Sequence, residues 1–350
     1  MGMENKKREI NGDLCHDILI QKIKPKLSFD EKKDYKTWKE SVKEKLYELL
    51  GIDLVKANAC APNMEIEEDV LMDGYRRIRF TFESEVGAIV PCYLLIPDTN
   101  KKKYPVGIVL QGHTSGFHIS LGIPKSEKDE ETIKSRDFAI QAVKEGYAAL
   151  CIEQRCMGER VTSRHTFSSN MCTYPALAAL MLGRTTLGER VWDVQRAIDQ
   201  LSHFEMLDLD KIFITGNSGG GTMSFYASCF DDRIKICAPS SAFCSFEKSL
   251  FWTRHCPCNH IPGVYLWLEM QDMACLVANK EFISINGQVD MIFSIEGAKD
   301  AFKTVEKIFE KEGKKDSCEL VITPEGHAWC KDLVWPAIRR HAEKLGWFND

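Results

Sequence analysis

The chain has 350 residues, 44% of them hydrophobic and 28% charged, with a formal net charge of −5. These proportions are ordinary for a soluble globular protein and give no electrostatic reason to expect nucleic acid or an anionic membrane as partner. No apolar run approaches the roughly 18 residues of a membrane span.

The opening Met1-Gly2-Met3-Glu4-Asn5-Lys6-Lys7-Arg8 leads into no apolar core, which argues against a signal peptide. Position 6 is neither Ser nor Thr, so myristoylation of Gly2 is unsupported. Fourteen cysteines without an export signal read as reduced thiols in the cytoplasm rather than a disulfide framework.

Residues 1–74 read as an N-terminal extension. Within it, Trp38, Val42, Leu46 and Leu49 recur at helical spacing between Asp34 and Gly51, and Gly51 is a natural stop. Residues 75–350 read as the catalytic unit. Arg76–Glu83 and Ala88–Pro97 form an expected hairpin around Gly87. From Tyr104 onward, short apolar runs alternate with helical patterns. Val106–Leu110, Ala148–Ile152, Lys211–Thr215, Ile234–Pro239, Glu281–Asn286 and Cys318–Thr323 are the strands. Ser135–Gly146, Leu187–His203, Ala298–Glu312 and Ala337–Leu345 are the helices, and the charged run 125–134 is a solvated loop or helix start. The alternation calls for an α/β fold, a mostly parallel doubly wound sheet with helices on both faces. Residues 245–279, irregular and aromatic, read as an insertion over the strand ends.

Within this frame Lys211-Ile212-Phe213-Ile214-Thr215 runs into Gly216-Asn217-Ser218-Gly219-Gly220-Gly221 and then a helical stretch. Strand, tight turn and helix are the setting in which Gly-x-Ser-x-Gly is a nucleophile elbow. The turn strains the serine backbone and crowds its flanks, so Gly216 and Gly220 must lack side chains. The hydroxyl then stands at a helix N-terminus, whose dipole favours developing negative charge.

A serine hydroxyl needs an adjacent base, and catalytic groups in such sheets gather beyond the carboxyl ends of strands. His327 lies just past the last strand. His341 sits in a charged helix and reads as solvated, His255 and His260 follow the elbow too closely, and His16 and His203 lack a strand-end setting. Asp290, in Asn286-Gly287-Gln288-Val289-Asp290, is the carboxylate to orient His327; Glu153 is second choice, and Asp231 and Asp232 read as turn residues. The oxyanion donors are the backbone N–H of Gly219 and that of His113, whose ring either faces substrate or lines its loop. Trp252, His255, His260 and Trp267 are the candidate substrate contacts. The cluster His255-Cys256-Pro257-Cys258-Asn259-His260 is too compressed for a usual structural zinc site and has no second Cys-x-x-Cys pair. No metal and no cofactor are expected.

The chain resembles the α/β-hydrolase superfamily, in its dienelactone-hydrolase-like and acetyl-xylan-esterase-like branch. The resemblance spans roughly residues 75–346. It rests on Gln111-Gly112-His113, Arg155-Cys156-Met157-Gly158-Glu159, Gly216-Asn217-Ser218-Gly219-Gly220, Gly287-Gln288-Val289-Asp290 and Gly326-His327. The order Ser218, Asp290, His327 is that of this superfamily. A serine stands where dienelactone hydrolases use cysteine, so the likeness implies the fold and triad rather than that reaction. It implies a serine carboxylic ester hydrolase acting on a small-molecule ester, with a small acetylated sugar or similar short-acyl ester favoured. A peptidase or other acyl hydrolase of the same fold, and a non-catalytic binding protein retaining it, are the alternatives.

Overall fold

The computed structural model describes residues 10–99, 101–164, 170–251, 253 and 255–348. Its centre is one nine-stranded sheet. In chain order the strands are β1 (Glu65–Met72), β2 (Tyr75–Glu85), β3 (Ala88–Pro97), β4 (Tyr104–Leu110), β5 (Ala148–Ile152), β6 (Leu207–Asn217), β7 (Ile234–Ser240), β8 (Glu281–Gly287) and β9 (Cys318–Thr323). Their spatial order is β1-β2-β3-β5-β4-β6-β7-β8-β9. The first three strands meander antiparallel, β3 joins β5 antiparallel, and every pairing from β5 to β9 is parallel.

The parallel strands are apolar on both faces because helices cover both. In β5, Ala148, Leu150 and Ile152 enter one core while Ala149 and Cys151 enter the other. The larger core is closed by the helices Tyr35–Leu50, Thr186–Gln200, Gly219–Phe230 and Ile295–Lys311; the smaller by Phe138–Lys144 and Lys331–Lys344. The helix Tyr35–Leu50 begins where Asp34 accepts the Thr37 N–H at 2.9 Å and stops at Gly51, whose φ is 69°. It buries Trp38, Val42, Leu46 and Leu50 in the larger core, with Leu49 half-buried beside them.

Two elements differ from the sequence expectation. β1 lies inside the stretch read as extension. Its face is rich in Glu and Asp, a composition that hides strand character and also blunts a sheet edge. Arg76, Arg77 and Arg79 of β2 pair with Asp69, Glu68 and Glu67 of β1. The run 125–134, read as a solvated loop or helix start, carries a separate helix from Glu127 to Arg136, started by Ser126, which accepts the Asp129 N–H. Within 245–279, the turn Met270–Leu276 is buried in the larger core. Among the described residues no helix is long and apolar enough to cross a membrane, and all fourteen cysteines are unpaired.

Candidate active site

Ser218 ends β6 and begins the helix Gly219–Phe230, with φ 57° and ψ −123°. That positive φ is costly for a residue with a Cβ and persists only where its surroundings hold it. The Ser218 N–H donates to the carbonyl of Ser240 at 2.9 Å, and the Ser218 carbonyl accepts the Thr222 N–H at 2.8 Å. A Cβ at Gly216 would stand 2.4 Å from the Leu110 carbonyl oxygen, and one at Gly220 2.0 Å from the same atom. β4 and the helix approach too closely for any side chain at either position.

The loop after β4 closes over this turn. A Cβ at Gly112 would lie 2.6 Å from the Asn217 carbonyl oxygen and 3.1 Å from the Ser218 Cβ; one at Gly219 would lie 3.1 Å from the His113 Nδ1. The His113 ring therefore lies over Gly219. The loop is fastened from behind, where Gln111 donates to the Ser120 hydroxyl at 2.8 Å and to the Arg136 carbonyl at 2.7 Å, and the Gln154 amide donates to the Gln111 carbonyl.

His327 follows β9, and its Nδ1 meets the Asp290 Oδ2 at 2.9 Å. The Asp290 side chain is fully buried, and its Oδ1 accepts the N–H groups of Ile292 at 2.7 Å and Phe293 at 3.1 Å. Burial would raise the Asp290 pKa. The hydrogen bond and charge of His327 and the two backbone donors outweigh it, so the carboxyl lies below its usual range. Phe293 stacks on the His327 ring, with centroids 5.9 Å apart and planes 15° apart, and meets His255 edge-on at 5.0 Å.

Ser218, His327 and His113 line one cavity of about 470 Å³, together with Arg136, Asn170, His255, Cys256, Asn259 and Ile292. Burial first, and the charge of His260 second, push the His255 pKa down to about 4, so its ring is neutral near pH 7. Its Nε2 is buried without a hydrogen-bond partner among the described residues. Arg136 lines the cavity and makes no ion pair among the described residues; burial holds its pKa below that of a free guanidinium.

Glu153, the second-choice carboxylate, is engaged elsewhere. It accepts the Phe117 N–H at 3.1 Å and the Glu159 N–H at 3.3 Å, and a Cβ at Gly158 would collide with its carboxylate. Arg155, in the same stretch, belongs to a buried ion network with Asp193, Glu85 and Glu189. Of the three candidate substrate contacts among the described residues, His255 lines the Ser218 cavity and His260 and Trp267 do not. His260 is exposed and lines a separate, larger cavity of about 890 Å³, because its Nδ1 turns back to the Cys256 carbonyl at 3.2 Å. Trp267 is held between Lys26 and Lys45, 4.2 and 4.3 Å from its ring centroid, far from this chemistry. Trp252 lies outside the described residues. His341 is not solvated: it is buried, with its Nδ1 2.5 Å from Glu281 and its Nε2 3.1 Å from Glu319.

Arg136, Asn170 and Ile292 went unread in the sequence because no strand end or motif marks them, and Asn259 was read only as part of the 255–260 cluster. The Cys256–Cys258 turn also has company that spacing could not reveal. His113 and Cys172 come to it from distant segments, and the ligand atoms of His113, Cys172, Cys256 and Cys258 all lie within 4.8 Å of one another.

A mostly parallel sheet carrying a strained serine turn at the end of β6 and a histidine–carboxylate pair beyond β8 and β9 is the α/β-hydrolase arrangement. The Abhydrolase family model matches residues 5–235, and the chain belongs to that family. The match includes Ser218 and stops short of Asp290 and His327. The chain is 23% identical over 252 residues to “Putative hydrolase YtaP” of Bacillus subtilis (strain 168), covering 71% of this chain and 81% of that one. A crystal structure described as a “putative acetyl xylan esterase” from Bacteroides fragilis NCTC 9343 superposes with a TM-score of 0.77 at 16% identity, covering 97% of both chains. A glucuronoyl esterase from Solibacter usitatus superposes with a TM-score of 0.66 at 14% identity, covering 92% of this chain and 98% of that one. At these identities the structural likeness is one of fold.

Proposed function

We propose that this protein is a serine-dependent carboxylic ester hydrolase. The observation that carries the reading is the His327–Asp290 pair, at 2.9 Å, opening into the same cavity as the strained Ser218. In this reading the Ser218 Oγ attacks the ester carbonyl carbon while the His327 Nε2 takes its proton. Asp290 fixes the tautomer that leaves Nε2 free and stabilises the imidazolium. The backbone N–H groups of Gly219 and His113 hold the oxyanion. His327 then protonates the departing alcohol, leaving an acyl group on Ser218. Water, deprotonated by His327, attacks that acyl group and releases the acid.

The cavity wall supports a polar alcohol portion, since Arg136, Asn170, Asn259 and the unpartnered Nε2 of His255 all border it. A small acetylated sugar fits this chemistry, and the superposing structure described as a “putative acetyl xylan esterase” is consistent with it. One observation favours a second substrate class. Arg136 brings to the cavity a guanidinium with no ion pair among the described residues, which suits an ester of a uronic acid or another substrate bearing a carboxylate. Fourteen unpaired cysteines support a reducing compartment.

The test is covalent. A fluorophosphonate probe should label the wild-type chain at Ser218 and leave Ser218→Ala unlabelled, with aryl acetate hydrolysis lost in that variant at an unchanged Tm. Wild-type turnover in Ser218→Ala would remove the mechanism. A panel of acetylated sugars, methyl uronates and aminoacyl amides then separates the substrate classes.

A further inference from the structure

We propose that His113, Cys172, Cys256 and Cys258 form a structural zinc site beside the active-site cavity. Three separate segments supply them: the loop after β4, the residue before the helix Thr173–Met181, and the turn Pro257–Asn259 with Cys256 just before it. The four ligand atoms lie within 4.8 Å of one another, and the His113 Nε2 is 3.2 Å from the Cys258 Sγ. In a tetrahedral site with zinc–sulfur bonds near 2.3 Å, neighbouring sulfurs stand about 3.8 Å apart. Side-chain adjustments of about an ångström therefore close the shell, and one imidazole with three thiolates is a ligand set that zinc takes in closed structural sites.

A second, independent observation requires negative charge at this place. Arg190 is fully buried, and its guanidinium donates to the Cys258 Sγ at 3.5 Å, the Cys172 Sγ at 3.7 Å and the Arg155 carbonyl at 2.6 Å. Its Nε has no partner, and among the described residues it makes no ion pair with a carboxylate. The nearby carboxylates Glu85, Glu189 and Asp193 are committed to Arg155, Arg160 and Arg184. A guanidinium stays protonated in a protein, and a buried charge without an opposite is expensive. Three neutral thiols do not supply that opposite, and a disulfide among them supplies still less. Three thiolates around one zinc carry a single net negative charge, which the guanidinium cancels. The amide of Asn170 donates to the third sulfur, Cys256 Sγ, at 3.5 Å, completing the outer contacts that metal-bound thiolates require.

The site would act on the reaction through position alone. It ties the loop bearing the His113 N–H to the 256–258 turn that borders the same cavity. Zinc binding by itself does not depend on Ser218, so this inference and the esterase reading can fail separately.

The full chain, purified without chelators, should carry about one zinc per chain by elemental analysis. After the zinc is stripped, added Co²⁺ should give thiolate-to-metal charge-transfer absorption and the visible bands of a tetrahedral centre. Cys172→Ser and the half-exposed Cys256→Ser should each lose most of the zinc and the cobalt bands, while Ser218→Ala and the remote Cys60→Ser keep both. Cys256→Ser, at the rim, guards against the Cys172 variant failing to fold. Less than about a tenth of an equivalent of zinc, with no cobalt bands, would overturn the proposal. So would a disulfide in the native chain among Cys172, Cys256, Cys258 and Cys156, which packs in the same buried cluster.

Discussion

The Oδ1 and Oδ2 of Asp290 are divided between two tasks: Oδ1 takes the backbone N–H groups of Ile292 and Phe293, and Oδ2 meets the His327 Nδ1 at 2.9 Å. The carboxylate cannot rotate without abandoning two backbone donors, so the imidazole is presented at a fixed angle. Asp290→Asn keeps the shape while removing the charge that steadies the imidazolium. It should lower kcat for an aryl acetate by about 10⁴, with a much smaller change in KM. A mild loss in Asp290→Asn beside a crippling one in Glu153→Gln would transfer the role to Glu153.

Glu153 should instead govern stability. Burial pushes its pKa from 4.5 up to about 7, against two backbone donors and Arg160 that pull the other way. The unfolded chain ionises near 4.5, whereas the fold holds the acid protonated to about 7. The unfolded state therefore gains on the folded one as pH rises through that window, and above it the full penalty, of order 3 kcal/mol, remains. Denaturant titrations from pH 4.5 to 8 should show wild type losing stability relative to Glu153→Gln through this range. Parallel curves for the two proteins would show that Glu153 ionises normally.

Gly112 should be as sensitive as the serine turn it covers. A methyl group there meets the Asn217 carbonyl at 2.6 Å and the Ser218 Cβ at 3.1 Å, so Gly112→Ala must push the loop and the His113 N–H outward. Losing one oxyanion donor costs about 10²–10³ in kcat. The Tm should fall modestly, by the cost of about 1–3 kcal/mol usual for overpacking. Near-normal kcat would mean that the second donor comes from elsewhere.

What could be read in the chain follows from the range of the signals. The Gly-x-Ser-x-Gly turn, the apolar runs of β4 to β9 and the place of His327 just past the last strand are local patterns. They point to the fold directly and to the candidate residues that share one cavity. The edge strand β1 was hidden because Glu65, Glu67, Glu68 and Asp69, three of them paired with arginines of β2, break up its apolar residues. His341 was misread because its helix is charged on one side, while its own face turns to the buried Glu281. Spacing within 255–260 could not show what surrounds Cys256 and Cys258, because side chains brought in from distant segments leave no period in the sequence. His113 and Cys172 join Cys256 and Cys258 only through the fold. Trp267 illustrates the same limit: an aromatic in a loop has no preferred destination until Lys26 and Lys45 close on it.

The wall behind Asn259 and the Phe293 ring sets the last expectation, the length of acyl chain that can be accepted. The apolar space adjoining it, among Thr222, Phe225, Tyr226, Ala242, Phe246, Leu250 and Met270, amounts to about 10 Å³, the room of roughly one water. The Ser218 cavity itself is bordered by Arg136, Asn170, Asn259 and His255, groups that solvate a polar alcohol and offer little to an alkyl tail. Phe251 and Tyr265, within the 245–279 stretch, pack edge-on at 5.0 Å and line the separate cavity of about 890 Å³. Each methylene left unburied forfeits about 0.8 kcal/mol of transfer energy, and one forced against Phe225 or Phe293 costs more. In an aryl ester series from acetate to octanoate, kcat/KM should therefore fall steadily. The steepest drop should come where the chain first exceeds the polar cavity. Octanoate turning over as fast as acetate would require Asn259 to swing aside and join the two cavities, and would end the case for a short-acyl esterase.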